Sequence, residues 1–111
     1  MRCYMVDEVS PEDVGRIEQR LSEMGLQGGL PGIYKLPVPR NMLSDIRTEH
    51  FSECGPYYMA LETDEGWIKL EFLVRSEEKI RCACVGYASP ELRMHMINYM
   101  DGLLEELKVK T

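Results

Sequence analysis

From Pro56 to Tyr87 apolar and polar residues alternate with a period of two through three segments, and from Ser89 the period changes to that of a helix. The pattern predicts three antiparallel strands joined by two tight polar turns, followed by a long amphipathic helix opened by Ser89-Pro90-Glu91. With Asp64-Glu65 at the first tip, Leu61 faces Ile68, Met59 faces Leu70 and Tyr57 faces Phe72. Glu62, Ala60 and Tyr58 then meet Trp67, Lys69 and Glu71 on the other face. A slip by one residue would put Ile68, Leu70 and Phe72 opposite Glu62, Ala60 and Tyr58, so the pattern selects the face. In the second turn, a three-residue loop of Ser76, Glu77 and Glu78 directs Ile80, Cys82 and Cys84 inward and Arg81, Ala83, Val85 and Tyr87 outward. A two-residue loop reverses this, and the first arrangement is preferred because it leaves Arg81 in water. The final helix carries Leu92, Met96, Tyr99, Leu103 and Leu107 in one row with Met100 and Leu104 beside them, a stripe wide enough to cover a sheet.

Earlier in the chain the elements are shorter. Met1 to Val6 reads as a short strand with Arg2, Tyr4 and Val6 on one side and Cys3 and Met5 on the other. Ser10-Pro11-Glu12-Asp13 has the form of a helix start: a hydroxyl cap, a proline at the first helical position and acids at the positive end of the dipole. Val14, Ile17, Leu21 and Met24 form its apolar stripe, and Gly25 is the expected stop. Leu26 to Gly32 is a glycine- and proline-rich connection whose spacing fits no phosphate-binding loop. Ile33 to Val38 is extended, but Pro37 and Pro39 confine it to a sheet edge. A second helix is expected from about Asn41 to Cys54, with Leu43, Ile46, His50 and Cys54 on one side and Gly55-Pro56 ending it. The whole is a two-layer α+β domain, residues 1–111, with an antiparallel meander sheet of three to five strands and helices packed on one face.

Composition narrows the function classes. A chain of 111 residues with 44% apolar and 29% charged residues is one folded domain. Its formal charge of −6 opposes binding to phosphate backbones and anionic lipid, so neither nucleic acid nor a membrane is expected as a partner. No run approaches the roughly 18 apolar residues of a spanning helix, and Asp7 and Glu8 stand where a secretory signal would be apolar. A cytoplasmic protein with its four cysteines (Cys3, Cys54, Cys82, Cys84) as free thiols is the expectation.

Cys82-Ala83-Cys84 is the nearest thing to a motif. In a strand, residues two apart share a face, so two thiolates can share a soft metal ion. His50 and Cys54 share a helix face and complete a Cys3His set if that helix end approaches the third strand. Ordinary buried cysteine competes with this reading, because the spacing is not one of the common structural zinc patterns. Nothing in the sequence lowers a thiol pKa, and no GxSxG or HExxH motif occurs, so no enzyme is expected.

What remains is surface. On the favoured register the uncovered sheet face displays Trp67, Tyr87, Val85, Tyr58 and Leu73 among Lys69, Glu71, Glu62 and Arg75, a composition enriched at protein interfaces. The primary expectation is a small non-enzymatic protein-binding or adaptor domain that acts through this aromatic face, as a homodimer and without a cofactor. The alternative is a structural zinc domain using Cys82 and Cys84 with Cys54 and His50.

Overall fold

The computed structural model describes residues 2–109. Its sheet has six strands: β1 (Cys3–Val6), β2 (Ile33–Pro37), β3 (Tyr57–Asp64), β4 (Trp67–Glu71), β5 (Leu73–Ser76) and β6 (Gly86–Tyr87). Two long helices, α1 (Pro11–Glu23) and α4 (Pro90–Glu106), accompany two short ones, α2 (Asp45–Glu49) and α3 (Phe51–Cys54). All strand pairings are antiparallel, and the architecture is α+β as expected. The expectation placed on Met1 lies outside the described residues.

β3 is the centre of the sheet. β2 runs along one edge of it, and β4 followed by β5 runs along the other. β1 then pairs with β4, and β6 with β5. β4 and β5 are one bent strand: the four steps from Leu61 to Tyr57 on β3 are matched by six from Leu70 to Ser76. The two extra residues lie around Phe72, whose N–H donates to the Arg2 carbonyl and whose carbonyl accepts from the Ala88 N–H. The bend is a bulge that re-aims the strand while keeping its alternation. Ile68, Leu70, Phe72, Val74 and Ser76 therefore all face the buried side, together with Tyr57, Met59, Leu61 and Thr63 of β3.

That buried side is covered by α1, through Val14, Ile17 and Leu21, and by α4, through Leu92, Met96, Met100, Leu103 and Leu104. Both helices start as their sequences require, with Ser10 and Ser89 accepting from the N–H groups of Asp13 and Leu92 and with proline at the first turn. Gly25, at φ +75°, follows the end of α1. Arg16 reaches the Leu107 carbonyl, Arg20 pairs with Glu106 at 3.4 Å, and Tyr4 donates to Asp101 at 2.9 Å, tying α4 to α1 and β1. At the far edge, β2 bonds outward to the short segment Leu26–Gly28 and, through the Ile33 N–H, to the Leu30 carbonyl, in keeping with its prolines.

Several expectations are corrected. The first hairpin turns on Glu65-Gly66, not Asp64-Glu65, because Gly66 takes a φ of +83° that other residues rarely adopt, and Asp64 accepts from the Glu65 N–H. Leu61 therefore faces Leu70, a shift of two residues that preserves which face is buried. The second helix is broken into a 3-10 turn at Arg40–Met42, then α2 and α3, since Leu43 is extended and the Ser44 hydroxyl starts a fresh helix by accepting from the Arg47 N–H. Within it Arg47 is buried and Ile46 is exposed, the reverse of the apolar pattern. Met24 and Tyr99 are likewise partly exposed at the rims of their helices.

The third strand is the largest departure. Only Gly86 and Tyr87 pair in the ladder, and residues 77–85 form a loop with Ile80 at 92% exposure. The backbone of this segment is bonded elsewhere. Ser76 Oγ accepts from the Glu78 and Lys79 N–H groups and donates to the Cys54 carbonyl, while the Cys84 and Gly86 carbonyls accept from Arg47. Side chains have taken the place of strand partners.

Candidate metal centre

The Cys3His set foreseen from the sequence is assembled, though by a loop and not by a strand. The Sγ atoms of Cys54, Cys82 and Cys84 and a ring nitrogen of His50 all lie within 4.8 Å of one another. His50 closes α2 and Cys54 closes α3, and the Cys54 N–H donates to the His50 carbonyl at 2.8 Å, so one helical turn presents both side chains to the same side. The other two ligands come from a tight turn in which the Val85 N–H donates to the Cys82 carbonyl at 3.0 Å.

One sulfur pair already stands at tetrahedral spacing. Cys54 Sγ stands 3.7 Å from Cys82 Sγ, and His50 Nδ1 stands 3.1 Å from it. A zinc–thiolate bond of about 2.3 Å puts tetrahedral sulfurs about 3.8 Å apart, the spacing of Cys54 and Cys82, while the His50–Cys82 contact is shorter and the whole set lies within 4.8 Å. Cys54 and Cys84 are buried, whereas Cys82 and His50 are half-buried and form the solvent side. Three thiols and an imidazole are a donor set suited to a soft divalent ion.

The electrostatics also favour charge at Cys82. Its thiol is pulled down to about 6, first by the Cys84 N–H, then by the Cys84 thiol, His50 and Cys54, against a raising contribution from burial. Cys54 is pushed up to about 11, first by burial and then by sharing hydrogen bonds with Cys82 and Cys84. A lowered thiol was not anticipated, because the donor responsible is a backbone group that the turn alone brings into place.

Around the ligands lies a supporting layer that sequence reasoning missed. Arg47, 7% exposed, donates through Nε to the Cys84 carbonyl at 2.9 Å and through Nη2 to the Gly86 carbonyl at 2.9 Å. Among the described residues no carboxylate lies within ion-pair distance of it. Burial lowers its pKa, opposed by the Cys84 thiol and then the Tyr57 phenol. Tyr57 donates to the Arg47 carbonyl at 3.2 Å, and burial raises its own pKa. In the sequence Arg47 looks like any solvated helix residue; the only clue is the lack of an acid at helical spacing on its far side.

The aromatic face is where the sequence placed it in part. Tyr58, Trp67 and Leu73 are half-buried on the outer sheet face, with Tyr87 beside Leu73 in the ladder and 48% exposed. Val85 is half-buried in the turn after Cys84 and is not a strand residue. Cations lie over the rings: Lys35 over Tyr58 at 4.8 Å, Lys69 over Trp67 at 5.6 Å and Arg2 over Tyr87 at 4.5 Å. Lys69 pairs with Glu62 and Arg75 with Glu71 across the same face. Cys3 lies on β1, outside the sulfur cluster.

No family model, no curated protein and no solved structure matches this chain. Among the described residues no helix is long and apolar enough to cross a membrane.

Proposed function

We propose that this chain is a zinc-binding domain in which His50, Cys54, Cys82 and Cys84 hold one structural ion. The observation that carries the reading is the convergence of four ligand atoms within 4.8 Å from two segments about 30 residues apart. Buried cysteines that merely fill a core have no reason to gather around a histidine nitrogen. Arg47 supplies independent support. Zinc with three thiolates and a neutral imidazole bears one net negative charge, and a buried guanidinium without a carboxylate is the countercharge such a centre calls for. The ion would pin the loop 77–85, which has little regular structure of its own, to the end of α3.

Metal analysis of protein purified without chelator tests this directly. Near-stoichiometric zinc is the expected result, and a chain that neither carries zinc nor takes it up on addition ends the reading.

A second reading, binding of another protein or a second copy through the outer sheet face, is supported by Tyr87 and Met5, which are 48% and 50% exposed on the face opposite α1 and α4. In this reading the domain is a non-enzymatic adaptor and the zinc is architectural. The two readings are compatible, because the metal cluster and the aromatic face use different residues.

A further inference from the structure

We propose that Cys54 and Cys82 are a redox pair that closes to a disulfide on meeting a hydroperoxide and releases the metal, an inference that rests on the zinc reading above. Three features select this pair among the sulfurs. The Cys54 and Cys82 Sγ atoms are 3.7 Å apart, so forming a bond of about 2.05 Å requires a movement of under about 2 Å. Cys82 belongs to a loop that no ladder restrains and is the half-exposed member of the trio, open to an oxidant. Cys84 is held back: it is 1% exposed, its carbonyl is anchored by Arg47, and a bridge to Cys82 two residues away would close a strained ring.

The step balances with a hydroperoxide as oxidant. The Cys82 thiolate attacks the outer peroxide oxygen, the O–O bond breaks, and the leaving oxygen departs as water or alcohol after taking a proton from solvent. The sulfenic acid so formed is attacked by the Cys54 thiolate, which makes the S–S bond and expels hydroxide, protonated to water. Two electrons pass from the sulfurs to the peroxide. Zinc, left with His50 and Cys84, is released as the aquated ion. The disulfide takes over the pinning of the loop to α3, and a dithiol reductant with fresh zinc reverses the change.

The experiment uses the full chain loaded with zinc and treated with hydrogen peroxide. Released zinc is followed with a chromogenic chelator, and the sulfurs are located by peptide mass spectrometry with fragmentation between Cys82 and Cys84. The expected result is loss of nearly all bound zinc in step with a Cys54–Cys82 link, and recovery with dithiothreitol plus zinc. Zinc retained under peroxide, a link through Cys84, or Cys82 recovered only as sulfinic acid would overturn the proposal. If the chain takes up no zinc, the metal reading fails by itself. Peroxide treatment of that chain then still decides the pairing: a Cys54–Cys82 link upholds it and the absence of one ends it.

Discussion

Replacing Arg47 by Met should leave a folded chain that holds zinc about 10- to 100-fold more weakly, or about 1.4–2.7 kcal/mol, the usual cost of losing an outer partner of a metal ligand. The change keeps the aliphatic packing and removes both 2.9 Å donors to the Cys84 and Gly86 carbonyls. A buried acceptor left without a donor costs about 1–3 kcal/mol. Cys84 is almost sealed, so its carbonyl bears this in full, while half-buried Gly86 regains some water. A loss of about 2–4 kcal/mol in unfolding free energy follows, offset in part because a cation no longer has to be desolvated. Arg47→Lys retains the charge but loses the fork that spans two carbonyls, and should fall between parent and Arg47→Met. Competition against a chromophoric chelator at fixed pH gives the affinities, and urea titration with and without zinc gives the stabilities. If Arg47→Met binds zinc as tightly as the parent while remaining folded, the guanidinium is not the countercharge of the centre.

Other outcomes follow from the same geometry. Stripping zinc with a chelator should lower the melting temperature, since an ion held at 1,000 times its dissociation constant contributes about 4.1 kcal/mol; an unchanged thermal scan would speak against a structural ion. In the stripped protein, the depressed Cys82 gives up its proton near 6 while the unfolded thiol keeps its own up to 9.0, so stability should rise with pH across that window. The raised Cys54 acts in the opposite sense between 9.0 and about 11, where the unfolded chain loses a proton that the folded one keeps, so stability should fall there. Melting temperatures that decline steadily from pH 6 would contradict this. Phe72→Ala, at the inward side of the bend between β4 and β5, should cost about 3–5 kcal/mol by urea unfolding, and a loss below about 1 would mean that the bend does not seat this ring. Trp67→Ala combined with Tyr87→Ala should weaken any self-association seen in sedimentation while leaving the helical signal intact; unchanged mass removes self-association through this face.

How much was legible in the sequence differs from element to element. The caps at Ser10 and Ser89, the stripes of α1 and α4 and the buried face of the first hairpin follow from local pattern, because each depends on a period or a cap that lies within a few residues. Even the error at the hairpin tip was harmless, since a shift of two residues leaves the same side chains inward. The second helix and the third strand were misread for one shared reason. Side chains bond those backbones in place of regular partners, Ser44 and Ser76 from two or three residues away and Arg47 and again Ser76 from distant segments, and a periodic pattern registers none of these bonds.

The candidate site divides along the same line. The four residue types able to ligate zinc, and the pairing of His50 with Cys54 on one turn, were determined by sequence and helical spacing. Tertiary structure alone decided that Cys82 and Cys84 reach that turn, through a loop and not a strand, that a Cys84 N–H faces the Cys82 sulfur, and that Arg47 turns inward to hold them. Meetings between segments about 30 residues apart depend on how the sheet bends and what it buries, and a chain read one neighbour at a time does not contain that geometry.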